Sequence, residues 1–262
     1  MQITFINSRS IKHKGLGLNE PSGLCLTHDK AGFWTISDDT KAIFRLSIES
    51  QSKPVSFPIE EKGLEGITMT QNGDYLLAVK EETNEILKLH SDCLALHSRH
   101  PLATMLGYEK VQKEFRDSNK NKGLEGITLH TRSGTVLTIK EGDPGLLIEI
   151  SENLTHIQNV IPFRQENGFI HPDLDQHAID YSDLCYDKKR DLLWIVSDKG
   201  RCIFLYNHGS NKVVQKLDLI YQKDGKNKTI PKAEGIAIDP SGGKLFIVSD
   251  SKARLYTFTI TD

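Results

Sequence analysis

The sequence predicts an all-β protein, a five-bladed β-propeller whose ring is closed by its own N-terminal strand, and three observations carry that expectation. Five segments share one plan, in which a Ser or Glu opening a short apolar run is followed sixteen residues later by an Asp or Glu: Ser22/Asp38, Glu65/Glu81, Glu125/Glu141, Ser182/Asp198 and Glu234/Asp250. Each segment reads as strand, tight turn, strand, and then a third and usually a fourth alternating run. Four antiparallel strands per repeat, repeated along one chain, is the pattern of propeller blades. The fifth repeat runs out of chain after its third strand, near Ile260, and the alternating stretch Gln2-Ile-Thr-Phe-Ile-Asn at the other end can fill the missing place.

Within each repeat the first strand starts at a small residue: Gly23, Gly66, Gly126, Asp183 or Gly235. Turn residues follow, such as Asn72-Gly73, Ser133-Gly134 and Gly242-Gly243, which supply the positive φ of a tight hairpin. The second strands, WTIS, LLAV, VLTI, LWIV and LFIV, are apolar and rich in β-branched residues, as a strand covered on both faces should be. Third strands alternate (AIFRLSI, EILKLHS, LLIEIS, CIFLYN, RLYTFTI), and PVSFPI and VVQKLDL read as fourth strands. Repeat starts are separated by 43, 60, 57 and 52 residues, too little for a hidden extra blade, so five is the predicted number and six the alternative. The surplus falls in insertions near 101–121, 162–181 and 220–232. A single domain over residues 1–262 is expected, its core spread between neighbouring blades.

Composition removes several classes of function. The net charge of −2 gives no basic footprint for nucleic acid, and the Lys-rich stretches Lys110–Lys122 and Lys223–Lys232 read as solvated insertions. No apolar run approaches the roughly 20 residues of a membrane span, and the first residues lack the regions of a secretory signal. The expected protein is soluble, cytoplasmic as the chain stands and periplasmic if it has been trimmed. Four cysteines, Cys25, Cys93, Cys185 and Cys202, show no metal-type spacing and read as small buried hydrophobes. Nucleophile elbows and phosphate-cradling glycine loops are absent from the sequence. Arg164 and Arg201 read as solvated rim residues. Asn153 and Asn227 head Asn-x-Thr sequons that matter only in a secreted eukaryotic chain.

The paired positions carry the functional expectation. In an antiparallel hairpin the first residue of one strand and the last of the next lie at the same end. Five hairpins with their first strands innermost therefore aim all ten paired residues at one opening, and eight of the ten are acidic. Glu20 and Asp180, two residues before Ser22 and Ser182, add two more. Clustered carboxylates raise one another's pKa unless positive charge intervenes. Lys80 and Lys140 are expected to face Glu65 and Glu125 as ion pairs, whereas Ser37, Ser197, Asp38, Asp39, Asp180 and Asp198 leave blades one and four without a cation. Asp183 and Ser249 join the expected lining. The excess negative charge suggests a hard cation held by Glu20, Asp38, Glu65, Glu125, Asp180, Asp198, Glu234 and Asp250. Oxygen donors without His or Cys select Ca²⁺ first and Mg²⁺ second. The competing expectation is architectural: these acids cap inner-strand N–H groups and link neighbouring blades. His171 and His177, in FIHPDLDQHAIDYSDL with Asp173 and Asp175, are candidate general bases beside the same opening.

These residues resemble the SdiA-regulated family of bacterial β-propellers, which includes proteins described as calcium-regulated. The likeness lies in EPSGL at 20–24 with SDD at 37–39, NKGLEGIT at 121–128 with IKE at 139–141, YSDL at 181–184 with VSD at 196–198, and PKAEGIAID at 231–239 with IVSD at 247–250. The resemblance implies a propeller with an acidic, Ca²⁺-occupied channel and a role in calcium or envelope homeostasis or sensing; some relatives are labelled esterase-like or phytase-like. Relatives commonly carry an N-terminal signal or anchor, which these first residues do not show. A looser similarity joins Glu65, Glu125 and Glu234 to metal-dependent lactonases of the gluconolactonase type, although no Asn stands at an inner-strand start here. The expected ligands are therefore a metal ion and a small anionic molecule or protein partner, with metal-dependent hydrolysis as the alternative activity.

Overall fold

A computed structural model describes residues 1–48, 53–116 and 122–262; part of the first Lys-rich stretch and Asn121 of the NKGLEGIT motif lie outside the described residues. The fold is a five-bladed β-propeller, with each blade a four-stranded antiparallel sheet. Blade 1 is built, from the axis outward, by Pro21–Leu26, Gly32–Ser37, Ala42–Ser47 and Val55–Pro58. Blade 2 uses Leu64–Met69, Tyr75–Lys80, Glu85–His90 and Leu96–Pro101. Blade 3 uses Leu124–His130, Thr135–Lys140, Leu146–Ile150 and Ile157–Pro162, and blade 4 uses Asp183–Asp187, Leu192–Ser197, Cys202–Asn207 and Lys212–Asp218. Among the described residues five four-stranded sheets make up the ring, not the six that the repeat spacing also allowed.

Blade 5 closes the ring in the expected way. Ala233–Ile238, Lys244–Ser249 and Arg254–Thr261 come from the C-terminal repeat. Gln2–Ser10 lies antiparallel to the last of them, with Gln2 opposite Thr261 and Ser10 opposite Arg254. Pairing the two ends of the chain removes the unpaired edge that an open ring would present.

The burial pattern follows from this stacking. Gly32–Ser37 and Leu192–Ser197 are buried throughout, because a second strand is covered by blades on both faces. Among the described residues the apolar side chains form five clusters, one at each junction between neighbouring blades, including the seam between blades 5 and 1. Insertions extend these clusters: Phe163, Phe169, Ile179 and Tyr181 from the 162–181 segment pack between blades 3 and 4. That segment is thus anchored by aromatic packing, which its His and Asp content had not suggested. The 220–232 insertion is an exposed hairpin, Ile220–Lys223 with Lys226–Thr229.

All four cysteines are free. Cys93 departs from the expected buried strand position: it is exposed, in the turn between the third and outer strands of blade 2.

Candidate metal centre at the mouth of the ring

Each inner hairpin delivers its two paired residues to the same end because first and second strands are antiparallel, as with Leu64 opposite Lys80 and Leu124 opposite Lys140. Five hairpins arranged around one axis bring Ser22, Asp38, Glu65, Glu81, Glu125, Glu141, Ser182, Asp198, Glu234 and Asp250 to a single cavity of about 310 Å³. Glu20 and Asp180 line it too, together with Lys199 and Lys232. Ten carboxyl groups thus face two ammonium groups.

The remaining sequence-selected residues stand behind that lining. Ser37 Oγ accepts from the Glu20 N–H at 3.3 Å, and Ser197 Oγ donates to Asp180 Oδ1 at 2.8 Å. Ser249 Oγ donates to the Pro231 carbonyl. Asp39 is outside the lining, although its carboxyl lies within 4.8 Å of those of Glu20 and Asp38. Asp183 is buried below the cavity.

The expected lysine pairs do not form. Lys80 Nζ binds Glu61 at 3.0 Å, and Arg99 completes that pair. The Lys140 ammonium is buried and donates to the carbonyls of Gly142 and Pro144. Leu64 and Leu124 stand opposite the two lysines, and neighbouring residues of a strand point to opposite faces, so each lysine turns away from the acid, Glu65 or Glu125, that follows its partner. The cations come instead from positions outside the repeat comparison. Lys232 Nζ pairs with Asp250 at 2.6 Å, and the Lys199 backbone N–H caps Asp180 at 3.0 Å. Lys232 stands two residues before Glu234, the place that Glu20 and Asp180 occupy in their repeats; this equivalence was the available signal. It also corrects the view of Lys223–Lys232 as wholly solvated.

Charge is therefore distributed the opposite way from the expectation. The side of blades 4 and 5 carries the ammonium groups, and among the described residues Asp250 is the one cavity carboxylate in an ion pair. Glu65, Glu81, Glu125 and Glu141, on blades 2 and 3, form no ion pair among the described residues, although the charges of Lys199 and Lys122 draw Glu141 down against the larger upward push of burial. Ser22 Oγ donates to the Glu65 carbonyl at 2.8 Å and to Glu65 Oε2 at 3.2 Å. Gly123 N–H donates to Glu81 Oε1 at 3.1 Å. Part of the architectural expectation holds here, since these acids and hydroxyls do bridge adjacent blades.

Burial, reinforced by neighbouring carboxylates, moves the titrations upward. Burial and then the charge of Asp38 push Glu65 up to about 8; burial and then Asp198 push Glu234 up to about 8. Glu125 is raised well above the ordinary carboxylate range by burial and then by Glu65 and Glu81. Burial also raises Glu81, Glu141, Asp38 and Asp198. At the exposed rim, Glu20 is raised chiefly by the charge of Asp250.

Two groups of carboxyls have the spacing of an ion shell. One oxygen each from Glu81, Glu125 and Glu141 lies within 4.8 Å of the others, and the same holds for Glu20, Asp38 and Asp39. Ca²⁺–oxygen distances of about 2.3–2.6 Å allow ligand oxygens to stand up to about 5 Å apart across one ion, so both groups fit the donor chemistry and the size of a hard cation. The proposed histidine bases fit less well. His171 Nε2 faces the Gly200 carbonyl at 3.1 Å, and exposed His177 pairs with Asp143 at 2.6 Å; neither lines the cavity. Arg164 and Arg201 are exposed and also lie outside it.

Fold and cavity together define a five-bladed propeller with a carboxyl-lined mouth. The chain belongs to the SdiA-regulated family, whose model matches residues 10–259. Among solved structures it is similar to glutaminyl cyclase of Myxococcus xanthus, at 14% identity over 99% of this chain and 97% of that one, with a TM-score of 0.66. A luciferin-regenerating enzyme is similar at 12% identity over 92% of each chain, TM-score 0.53. Virginiamycin B lyase of Staphylococcus aureus is similar at 10% identity over 99% of this chain and all of that one, TM-score 0.52. At such identities the likeness is one of fold. Among the described residues no helix is long and apolar enough to cross a membrane.

Proposed function

We propose that the mouth of the ring binds a hard divalent cation, Ca²⁺ in first place, and that the protein serves as a calcium-binding or sensing module in calcium or envelope homeostasis. The observation that supports this reading is the set of Glu65, Glu81, Glu125 and Glu141, which meet in one cavity without an ion pair among the described residues. Glu81, Glu125 and Glu141 would hold the ion, with Glu65 adjacent. When bound, the cation supplies the positive charge that lets these carboxyls ionise together. The chain's own part is to hold three partly buried side chains from two blades at ligand spacing. Lys232 pairs with Asp250 on the far wall and its charge also bears on Asp198, so the ion is directed toward blades 2 and 3.

Calorimetric titration of metal-stripped protein tests the proposal. It predicts Ca²⁺ binding tighter than Mg²⁺, a rise in melting temperature with Ca²⁺, and a weakening of both in Glu125→Gln with the fold intact. No heat and no thermal shift at millimolar Ca²⁺ would end it.

A second reading, metal-dependent hydrolysis of a phosphoester or lactone, draws on one observation. Glu65 and Glu234, pushed up to about 8, retain a proton near neutral pH and can donate it as general acids. Turnover of such substrates with Ca²⁺, Mg²⁺ or Mn²⁺, abolished in Glu65→Gln or Glu234→Gln, would favour it over a binding module.

A further inference from the structure

Directly beneath the carboxyl-lined cavity the inner strands come into contact around the axis. The mouth residues Ser22, Glu65, Glu125, Ser182 and Glu234 are each followed by one residue, and the residues after those, Leu24, Ile67, Ile127, Leu184 and Ile236, line a second cavity on the other side. The waist between the two cavities is therefore made by Gly23, Gly66, Gly126, Asp183 and Gly235. Backbones touch there: a methyl group on Gly23 would stand 3.0 Å from the Gly66 Cα, and one on Gly235 would stand 2.8 Å from the Gly23 carbonyl carbon.

Only blade 4 brings a side chain to this ring, and it is a carboxyl. Asp183 is 1% exposed. Its Oδ2 accepts from the N–H of Ile236, in blade 5, at 2.9 Å. The N–H groups of Leu184 in its own blade, Leu24 in blade 1 and Ile127 in blade 3 also bear on the carboxyl, drawing its pKa down against the larger upward push of burial. Oδ1 is buried, makes no hydrogen bond, and lies 2.8 Å from where a Gly126 Cβ would be. Blade 4 also differs in register. The other four inner strands shift against their partners at this level, as between Ser22 and Leu24, whereas Asp183 pairs regularly with Val196.

The backbone groups that meet the Asp183 carboxyl are donors, and an ionised carboxylate is an acceptor alone. Amides converging on one point form an anion site. We propose that Asp183 is a resident anion in an axial site made by the inner-strand amides of four blades, where it ties the blades together and plugs the waist between the two cavities. The role is independent of any cation at the mouth.

The position admits a direct test by replacement with the residue that the other blades carry. Asp183→Gly should open the amide site, lowering the melting temperature by roughly 5 °C or more. Sodium formate, compared with sodium chloride at equal ionic strength, should then restore stability saturably, while the wild-type protein responds alike to both salts. Asp183→Asn keeps the volume but sets an NH₂ group against backbone donors, so it too should be destabilised. Formate density at the waist of Asp183→Gly crystals would complete the support. Wild-type stability in either variant, or an equal response of Asp183→Gly to formate and chloride, would overturn the proposal. If Asp183→Gly does not fold, Asp183→Asn decides: reduced stability supports the axial anion, and parity with wild type rejects it.

Discussion

At the residue scale the mouth is governed by which carboxyls have found a partner. Asp250 has Lys232, and Asp180 has Ser197 and a backbone N–H, but Glu125 has another carboxyl, that of Glu81, to share a hydrogen bond with, amid burial and like charges. Removing that carboxyl should act in two directions. Glu125→Gln is expected to weaken Ca²⁺ binding on the order of tenfold or more while leaving the metal-free protein at least as stable as wild type at pH 8; calorimetry and thermal melts measure the two effects. Lys232→Met is the converse case. It leaves Asp250 beside Asp198 and Glu234 without a counter-charge, so the metal-free protein should lose about 1 kcal/mol or less, since the pair is partly exposed, and Ca²⁺ should recover part of that loss. The acid pairs were legible in the sequence because a hairpin of fixed length holds them at a fixed offset. The lysines were not, because Lys199 belongs to a turn and Lys80 sits on a strand where alternation turns it toward Glu61.

At the element scale stability rests on closure. Gln2–Ser10 supplies the outer strand of blade 5, and Met1, Ile3 and Phe5 pack on the core between blades 4 and 5. Deleting residues 1–10 exposes the edge of Arg254–Thr261 and should lower the melting temperature by about 10 °C or more. An unchanged melt would show that the ring closes without it. At the waist, Gly23→Ala would set a methyl 2.8 Å from the Glu65 carbonyl oxygen and at a φ of +58°, costing about 1–3 kcal/mol in chemical denaturation. Blade strands and their number could be read from period-two alternation and turn residues. The insertions could not: the Ile220–Thr229 hairpin carries no apolar alternation, and the 162–181 segment hides its anchoring Phe163, Phe169 and Tyr181 among polar residues.

At the scale of the whole molecule the mouth links stability to pH. Glu65 and Glu234 are held above their ordinary value, up to about 8, so the folded state binds more protons than the unfolded chain between about pH 4.5 and 8. Their contribution is fully present below the unfolded pKa and is lost as pH rises through the folded one. The metal-free protein should therefore lose stability from pH 5 to pH 9, and Ca²⁺ should restore more of it at the alkaline end, releasing protons as it binds. Flat melting curves across that range, or a Ca²⁺ effect that fades with rising pH, would contradict the linkage. Crystals grown with Ca²⁺ give the most direct measurement of the central claim. An ion between Glu81, Glu125 and Glu141, with oxygens at about 2.3–2.6 Å, is the predicted result, and a mouth with no ion there at saturating Ca²⁺, its carboxyls still held only by hydrogen bonds, would contradict it.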